Sequence, residues 1–439
     1  MRRTRILVAA TTAVTAAAVA LLGGVLREAG PAAGGAAGPA PVSSERALSG
    51  FALGDTAAAV ARLQETVSES PADQSSLALL GLAYLQRARE TADASYYGRA
   101  DAALHRAAKL DRRDPVALSG LASLTASRHD FRESLRLARR VVALAPQTAR
   151  GFGLLGDALL ELGRYDEAFN AFDRQVDLKP SLGGYARIAY ARELLGRPRQ
   201  ALAAMELALD SSGNVREPTA WTLVELGKLR FGLGELTLAA RDFQAALAAL
   251  PGYVPALDAL ARVEAARGRL GRAIDLQRHA VEAVPLPHLV AQLGDLLAAA
   301  GRKDEARAQY DLVRVIDRIQ AANGVNSDLE TALYRVDHGI RLGETLALAR
   351  RARADRPSIF GDDVLAWALA RNGRCGEALS WSKRSLRLGT RDAAMFFHRG
   401  MIERCLEHGA ESRRWFARAL ATNPHFSLLW SPTARRYSA

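Results

Sequence analysis

FGLLGDALLELGRYDEAFNAFDRQVDLKP, residues 152–180, decides how the chain is read. Phe152, Leu155, Gly156 and Leu159 mark one helical face, Gly163 follows in a turn, and Ala168 and Phe172 mark a second face that closes at Pro180. The periodicity predicts two helices joined by a short turn. A pair of this size cannot bury its own apolar face, so it requires neighbours of the same kind. They are present at a period of about 34 residues. Upstream stand Leu118, Leu121 and Ala122 with Ser134, Ala138 and Val141; downstream stand Tyr185, Ile188 and Ala189 with Ala201, Met205 and Ala208. Further units follow through Gly227 with Phe243, Ala261 with Ala273, and Gly294 with Tyr310. Large residues on one helix need small ones opposite, so Gly156 and Ala168 are expected to act as sockets in which extra methylenes would be strained. The glycines at 163, 196, 234, 268 and 301 sit just past the first helix of each unit, where a left-handed residue is favoured.

Working outward, we expect about eleven units. The first, about 42–72, keeps mainly its second helix and caps the stack, and the second carries an insertion holding Tyr96 and Tyr97. After Asp304 the second helix of the eighth unit runs on to Ala322, and Asn323 and Gly324 stop it. The array is therefore divided into residues 42–322 and 325–426. The tail, 427–439, carries Trp430 and Pro432 and is expected to fold over the last apolar face.

Residues 1–41 differ in kind. Arg2, Arg3 and Arg5 precede an uncharged run, residues 6–26, which as a helix would span roughly 31 Å, enough for a bilayer core. Residues 1–28 are read as a membrane anchor or signal segment, with the arginines holding the N-terminus in the cytoplasm and the repeats outside it. The alternative is secretion after signal cleavage. Residues 29–41, Gly, Pro and Ala throughout, form a linker.

The chain has 439 residues, is 49% hydrophobic and carries a formal net charge of +12. Its arginine-rich, lysine-poor and alanine-rich composition reads as genome bias rather than a basic patch. Arginine groups such as Arg132, Arg136, Arg139 and Arg140 fall on second helices, the predicted convex face, and read as solvated surface. The two cysteines, Cys375 and Cys405, exclude a disulfide framework; they lie thirty residues apart in adjacent units, where an oxidising compartment could join them, and we expect instead two separate, partly buried thiols. The eight histidines are scattered, and no nucleophile elbow, phosphate loop or metalloprotease pattern occurs. We expect no enzyme, no metal and no cofactor.

The block at 152–180, with VELGKLRFGLGELTLAARDFQAALAALP (224–251) and AQLGDLLAAAGRKDEARAQY (291–310), resembles the tetratricopeptide repeat. The resemblance spans about residues 42–426. It implies an all-α, right-handed superhelical solenoid of antiparallel helix pairs after the N-terminal apolar helix, in an exported or membrane-anchored bacterial member of the family. It also implies a concave groove, lined by the first helices, that binds a protein or peptide. The groove positions would be Asp157, Tyr190, Trp221, Lys228, Arg262, Asp295, Tyr334, Trp367 and Phe397. They share no single chemistry, and the family's carboxylate-binding set of lysines and asparagines is not matched. The expected function is a non-catalytic protein–protein interaction scaffold, with partner identity open, held to the membrane through residues 6–26. The alternative is a module for an anionic polymer or nucleic acid using the basic convex surface; nucleic acid is disfavoured by the export signal.

Overall fold

The computed structural model describes residues 56–438 apart from 92, 94, 214 and 323, so the proposed anchor and linker lie outside the described residues. The described chain is a solenoid of 22 helices: a single helix α1 (Thr56–Glu69), ten antiparallel pairs, and a closing helix α22 (Ser431–Ser438). The pairs are α2/α3 (Gln74–Thr91, Ser95–Leu110), α4/α5 (Pro115–Ser127, Phe131–Leu144), α6/α7 (Ala149–Glu161, Tyr165–Leu178) and α8/α9 (Leu182–Leu194, Pro198–Asp210). Next come α10/α11 (Arg216–Gly232, Leu236–Ala249), α12/α13 (Val254–Ala266, Leu270–Ala283) and α14/α15 (Pro287–Ala299, Lys303–Ala322). The last are α16/α17 (Asp328–Asp337, Leu342–Asp355), α18/α19 (Ile359–Arg371, Cys375–Ser385) and α20/α21 (Ala393–Cys405, Gly409–Thr422). No helix among the described residues is long and apolar enough to cross a membrane.

The two helices of a pair play different parts. A first helix such as α6 is buried around most of its circumference, from Gly151 through Glu161, because it lies between the second helices and the interior of the coil. A second helix such as α7 buries one stripe, Tyr165, Ala168, Ala171, Phe172 and Gln175, and turns Asp166 and Glu167 to solvent at its positive N-terminal end. The pair closes because Gly156 has no side chain: a Cβ there would stand 2.3 Å from the Phe172 ring. A methyl at Gly156 would cost about 1–3 kcal/mol in overpacking.

At the C-terminus, Trp430, Ala434 and Tyr437 pack onto the core cluster formed by Trp367, Phe396, Phe397 and Phe416. The Trp367 and Trp430 indoles both donate to Asp337 Oδ1 at 2.9 Å.

Cys375 and Cys405 are joined in a disulfide, which corrects the expectation of separate thiols. Cys375 opens α19 and Cys405 closes the neighbouring α20, so antiparallel stacking brings the two Cα atoms to 6.0 Å, within disulfide reach.

The coil also returns onto itself. His129 Nδ1 lies 2.7 Å from the Asn326 carbonyl, the Ile359 N–H donates to Tyr165 Oη at 2.7 Å, Thr390 Oγ1 donates to the Leu194 carbonyl at 2.5 Å, and Asn423 Nδ2 donates to the Phe231 carbonyl at 2.9 Å. These partners are 197, 194, 196 and 192 residues apart, a constant offset of between five and six 34-residue repeats. The intra-pair turns of α4/α5 through α10/α11 thus meet the loops that precede α16, α18 and α20 and that follow α21, one for one. The apolar side of this seam holds Ile359 and Met395 beside Leu159, Tyr165, Ala191 and Leu194. Its ionic clasp is Arg356, which pairs with Glu161 across the seam and with Glu330 at 2.7 Å on its own side.

Candidate functional site

The candidate site is the inner surface of the coil. In α6, Arg150, Asp157 and Glu161 fall on one stripe because they are seven and four residues apart. Corresponding stripes continue through Arg187, Tyr190 and Glu193 on α8, Glu225 and Lys228 on α10, Asp258 and Arg262 on α12, and His288, Gln292 and Asp295 on α14.

Electrostatics shows that these stripes face a shared interior. Glu193 is exposed on the inner surface, and desolvation by the surrounding walls raises its carboxyl to about 7, with the charges of Glu225 and of Asp392, from the far side of the seam, adding to the effect. Desolvation lowers His288 to about 4; Arg262 and Lys228 reinforce this while Asp258 opposes it, so the imidazole is neutral at physiological pH. Tyr190 is pushed well above the usual phenol range by burial, then by Glu161 and Glu193. Arg150 is lowered to about 10 by burial and by Arg187, and its Nε and Nη2 are buried without a hydrogen-bond partner.

The nine sequence-predicted residues divide sharply. Asp157 is buried and held by Arg187, which donates from Nε at 2.9 Å and Nη2 at 2.7 Å. Tyr190 is half-buried beside the seam. Lys228 and Arg262 are solvent-exposed and paired with Glu225 and Asp258 at 2.8 and 3.3 Å. Asp258 also accepts from Gln277, which links α12 to α13, and Gln277 accepts from Gln292 of α14. Asp295 and Tyr334 are brought together: Asp295 Oδ1 accepts from Tyr310 Oη at 2.8 Å and lies 2.8 Å from His338 Nε2, whose ring stands 4.4 Å from that of Tyr334.

Trp221, Trp367 and Phe397 depart from the expectation. Their exposures are 6%, 1% and 0%, and they are core residues in this structure rather than groove surface. Trp221 packs with Met205, Leu226 and Leu229, while the C-terminal tail covers Trp367 and Phe397. Sequence reasoning missed Arg150, Arg187, Glu193 and His288. The signal was the continuation of each stripe by three or seven residues: Arg150 stands seven before Asp157, His288 seven before Asp295, and Arg187 and Glu193 three either side of Tyr190.

With this geometry in place, residues 120–182 and 224–286 are found to match the tetratricopeptide repeat family. These two segments carry tetratricopeptide repeats. Among curated proteins, a CTR9 homolog of Arabidopsis thaliana is 33% identical over 106 residues, 24% of this chain; the match spans about a tenth of that relative, 10% of its length. Among solved structures, YrrB, described as a TPR protein with an unusual peptide-binding site, matches 42% of this chain and 92% of its own at 17% identity, with a TM-score of 0.29. A human IFIT1 dimer with m7Gppp-AAAA covers 78% of this chain and 80% of its own at 16% identity and a TM-score of 0.49. Pseudomonas aeruginosa pilF covers 48% and 92% at 19% identity and a TM-score of 0.36. Tetratricopeptide repeats are in general protein–protein interaction scaffolds.

Proposed function

We propose that the chain is a non-catalytic scaffold that holds a protein or peptide on its inner surface, tethered to the membrane by residues 6–26 with the repeats outside the cytoplasm. One observation carries the binding reading: successive first helices present polar side chains to the interior that the fold does not consume. Glu193 and His288 reach solvent without a hydrogen-bond partner among the described residues, Lys228 and Arg262 reach it while engaged only with an acid of their own helix, and Arg150 keeps buried donors without partners. An unpaired buried donor is costly to the protein alone and is satisfied by a bound acceptor. The Cys375–Cys405 disulfide supports an oxidising location for the repeats, and the apolar run at 6–26 supports the tether.

The basic convex surface favours the alternative polymer-binding function less. Several of its arginines are paired with acids three residues away, as in Arg136–Glu133, Arg302–Glu305 and Arg374–Glu377, and Arg132 and Arg140 are engaged by the Ala354 and Arg112 carbonyls. Photo-cross-linking in native membranes tests the reading. A photoreactive residue at Lys228 should capture a partner protein and one at Arg199, on exposed second helix α9, should not. Adducts from position 199 alone, or capture whose yield falls steeply with salt, would move the function to the outer surface.

A further inference from the structure

The solenoid is open at one joint. Every other consecutive pair among the described helices packs backbone to backbone, whereas α15 and α16 stand further apart and meet through side chains, as where Tyr310 meets Tyr334 and His338. The cause lies in α15, whose 20 residues carry it beyond the 13 or 14 of most of its counterparts, so that the next pair cannot seat directly on it. The gap is a cavity of about 80 Å³ between α14, α15 and α16. That is room for several water-sized groups, since ~10–15 Å³ of such space accommodates one.

Its walls combine Pro287, Ala291 and Val313 with Asp317, Glu330 and Tyr334. Asp317 has neither a hydrogen-bond nor an ion-pair partner among the described residues; Arg335 acts on it only through space. Burial is the main influence and raises the carboxyl to about 6, so it is ionised at neutral pH at a cost the fold leaves uncompensated. Tyr334 Oη is buried and unpartnered in the same cavity. Glu330 adds negative charge, part of it engaged by Arg356 at 2.7 Å.

We propose that this cavity binds an alkylammonium group, its N–H donors satisfied by Asp317 and Tyr334 and its methylene stem lying along Pro287, Ala291 and Val313. Carboxylates in the walls repel an anion, and a neutral apolar group would leave both polar groups unsatisfied. An ammonium supplies three donors and no acceptor, matching the two carboxylate oxygens of Asp317 and the Oη of Tyr334. The apolar walls suit an aliphatic stem rather than a bare metal ion. The cation can come from a lysine side chain of a bound partner, which rests on the scaffold reading above, or from a free diamine, which does not.

Isothermal titration of the full chain with cadaverine, and with a blocked Gly-Ala-Lys-Ala-Gly peptide against its norleucine counterpart, tests the assignment. Cadaverine should bind saturably. Asp317→Asn should weaken it at least tenfold and Tyr334→Phe severalfold, while Asp304→Asn, an exposed acid on the same helix, should leave it unchanged. Lysine-peptide binding with the same Asp317 dependence assigns the ammonium to a partner's side chain; cadaverine binding alone assigns it to a free amine. Equal binding by Asp317→Asn and native protein, or no saturable binding of either probe, overturns the proposal. Failure of the Lys228 cross-link with cadaverine binding intact would count against the scaffold reading and leave this site standing.

Discussion

Gly196 and Gly268 hold the same place in two copies of one repeat, with φ of +66° and +77°, and they lie in opposite surroundings. A Cβ at Gly196 would stand 2.2 Å from the Gly389 carbonyl oxygen across the seam; a Cβ at Gly268 would meet nothing within 4 Å. The same contrast separates whole regions. Turns from α4/α5 to α10/α11 are covered by the returning chain, and the turns of α12/α13 and α14/α15 are not. The second part of the array is thus held to the first by contacts about 195 residues apart, while its own sequential joint, α15 to α16, is open. The solenoid is therefore joined by contacts across the seam as well as by stacking between neighbours.

The sharpest way to break the contrast is Arg356→Ala. Burial disfavours its charge, but Glu161 and Glu330 outweigh that and hold the guanidinium above the ordinary arginine range. Glu161 is 2% exposed, so removing Arg356 leaves a buried carboxylate uncompensated, at about 3–5 kcal/mol. Hydrogen exchange should accelerate in α6 and α18, on either side of the seam, before it does in α12 and α13. Uniform acceleration along the chain would show that the seam is not a separate unit.

Gly196→Ala should follow at about 2–4 kcal/mol, combining left-handed strain with a backbone collision. The Gly389 carbonyl is backbone and cannot turn aside as a flexible side chain would, so relief is expected from parting of the seam. The readout is a larger hydrodynamic radius with helix content retained. An unchanged radius would mean that the loop at Gly389 yields instead.

How much of this was legible follows from where each signal is stored. The repeat could be read because its core contacts are local: Gly156 with Phe172, Gly227 with Phe243 and Gly294 with Tyr310 recur at one spacing. The long α15 was readable as well, from the run of apolar positions to Ile319 and the stop at Gly324. The seam was not, since its partners lie in loops of unrelated sequence, and nothing in HisAsp at 129–130 announces Asn326. The inner surface was half legible. Period gives the stripe, so Lys228 and Arg262 were placed on it, but burial by non-neighbours decides which members stay exposed, and the tail removed Trp367 and Phe397.

Asp317→Asn sharpens the other half of the comparison, the open joint. The carboxyl titrates near 3.8 when unfolded and at about 6 in the fold, so the folded state binds the proton more tightly between those values. Stability contributed by this group is therefore present below about pH 4, declines as pH rises to 6, and stays lost above it. The full shift would correspond to about 3 kcal/mol; partial solvation at a half-buried site reduces this to about 1–2 kcal/mol. The asparagine variant should accordingly be more stable than the native chain at pH 7.5 and no different at pH 4, measured by urea melts at both values. A destabilised variant at pH 7.5 would show that Asp317 has a stabilising partner within the chain.

Gly268→Ala is the smallest effect and calibrates the rest. With no neighbour to meet, the variant carries only the strain of a left-handed alanine, about 1 kcal/mol, offset in part by the lower entropy of its unfolded chain. The same methyl at Gly196 carries that strain plus the seam. The difference between the two variants, measured by hydrogen exchange of α12 and α8 under identical conditions, therefore isolates the energy of superhelical closure from the energy of the turn. If the two alanines destabilise equally, closure contributes nothing beyond stacking, and the contacts from Arg356 to Asn423 are a consequence of the coil's pitch rather than its cause.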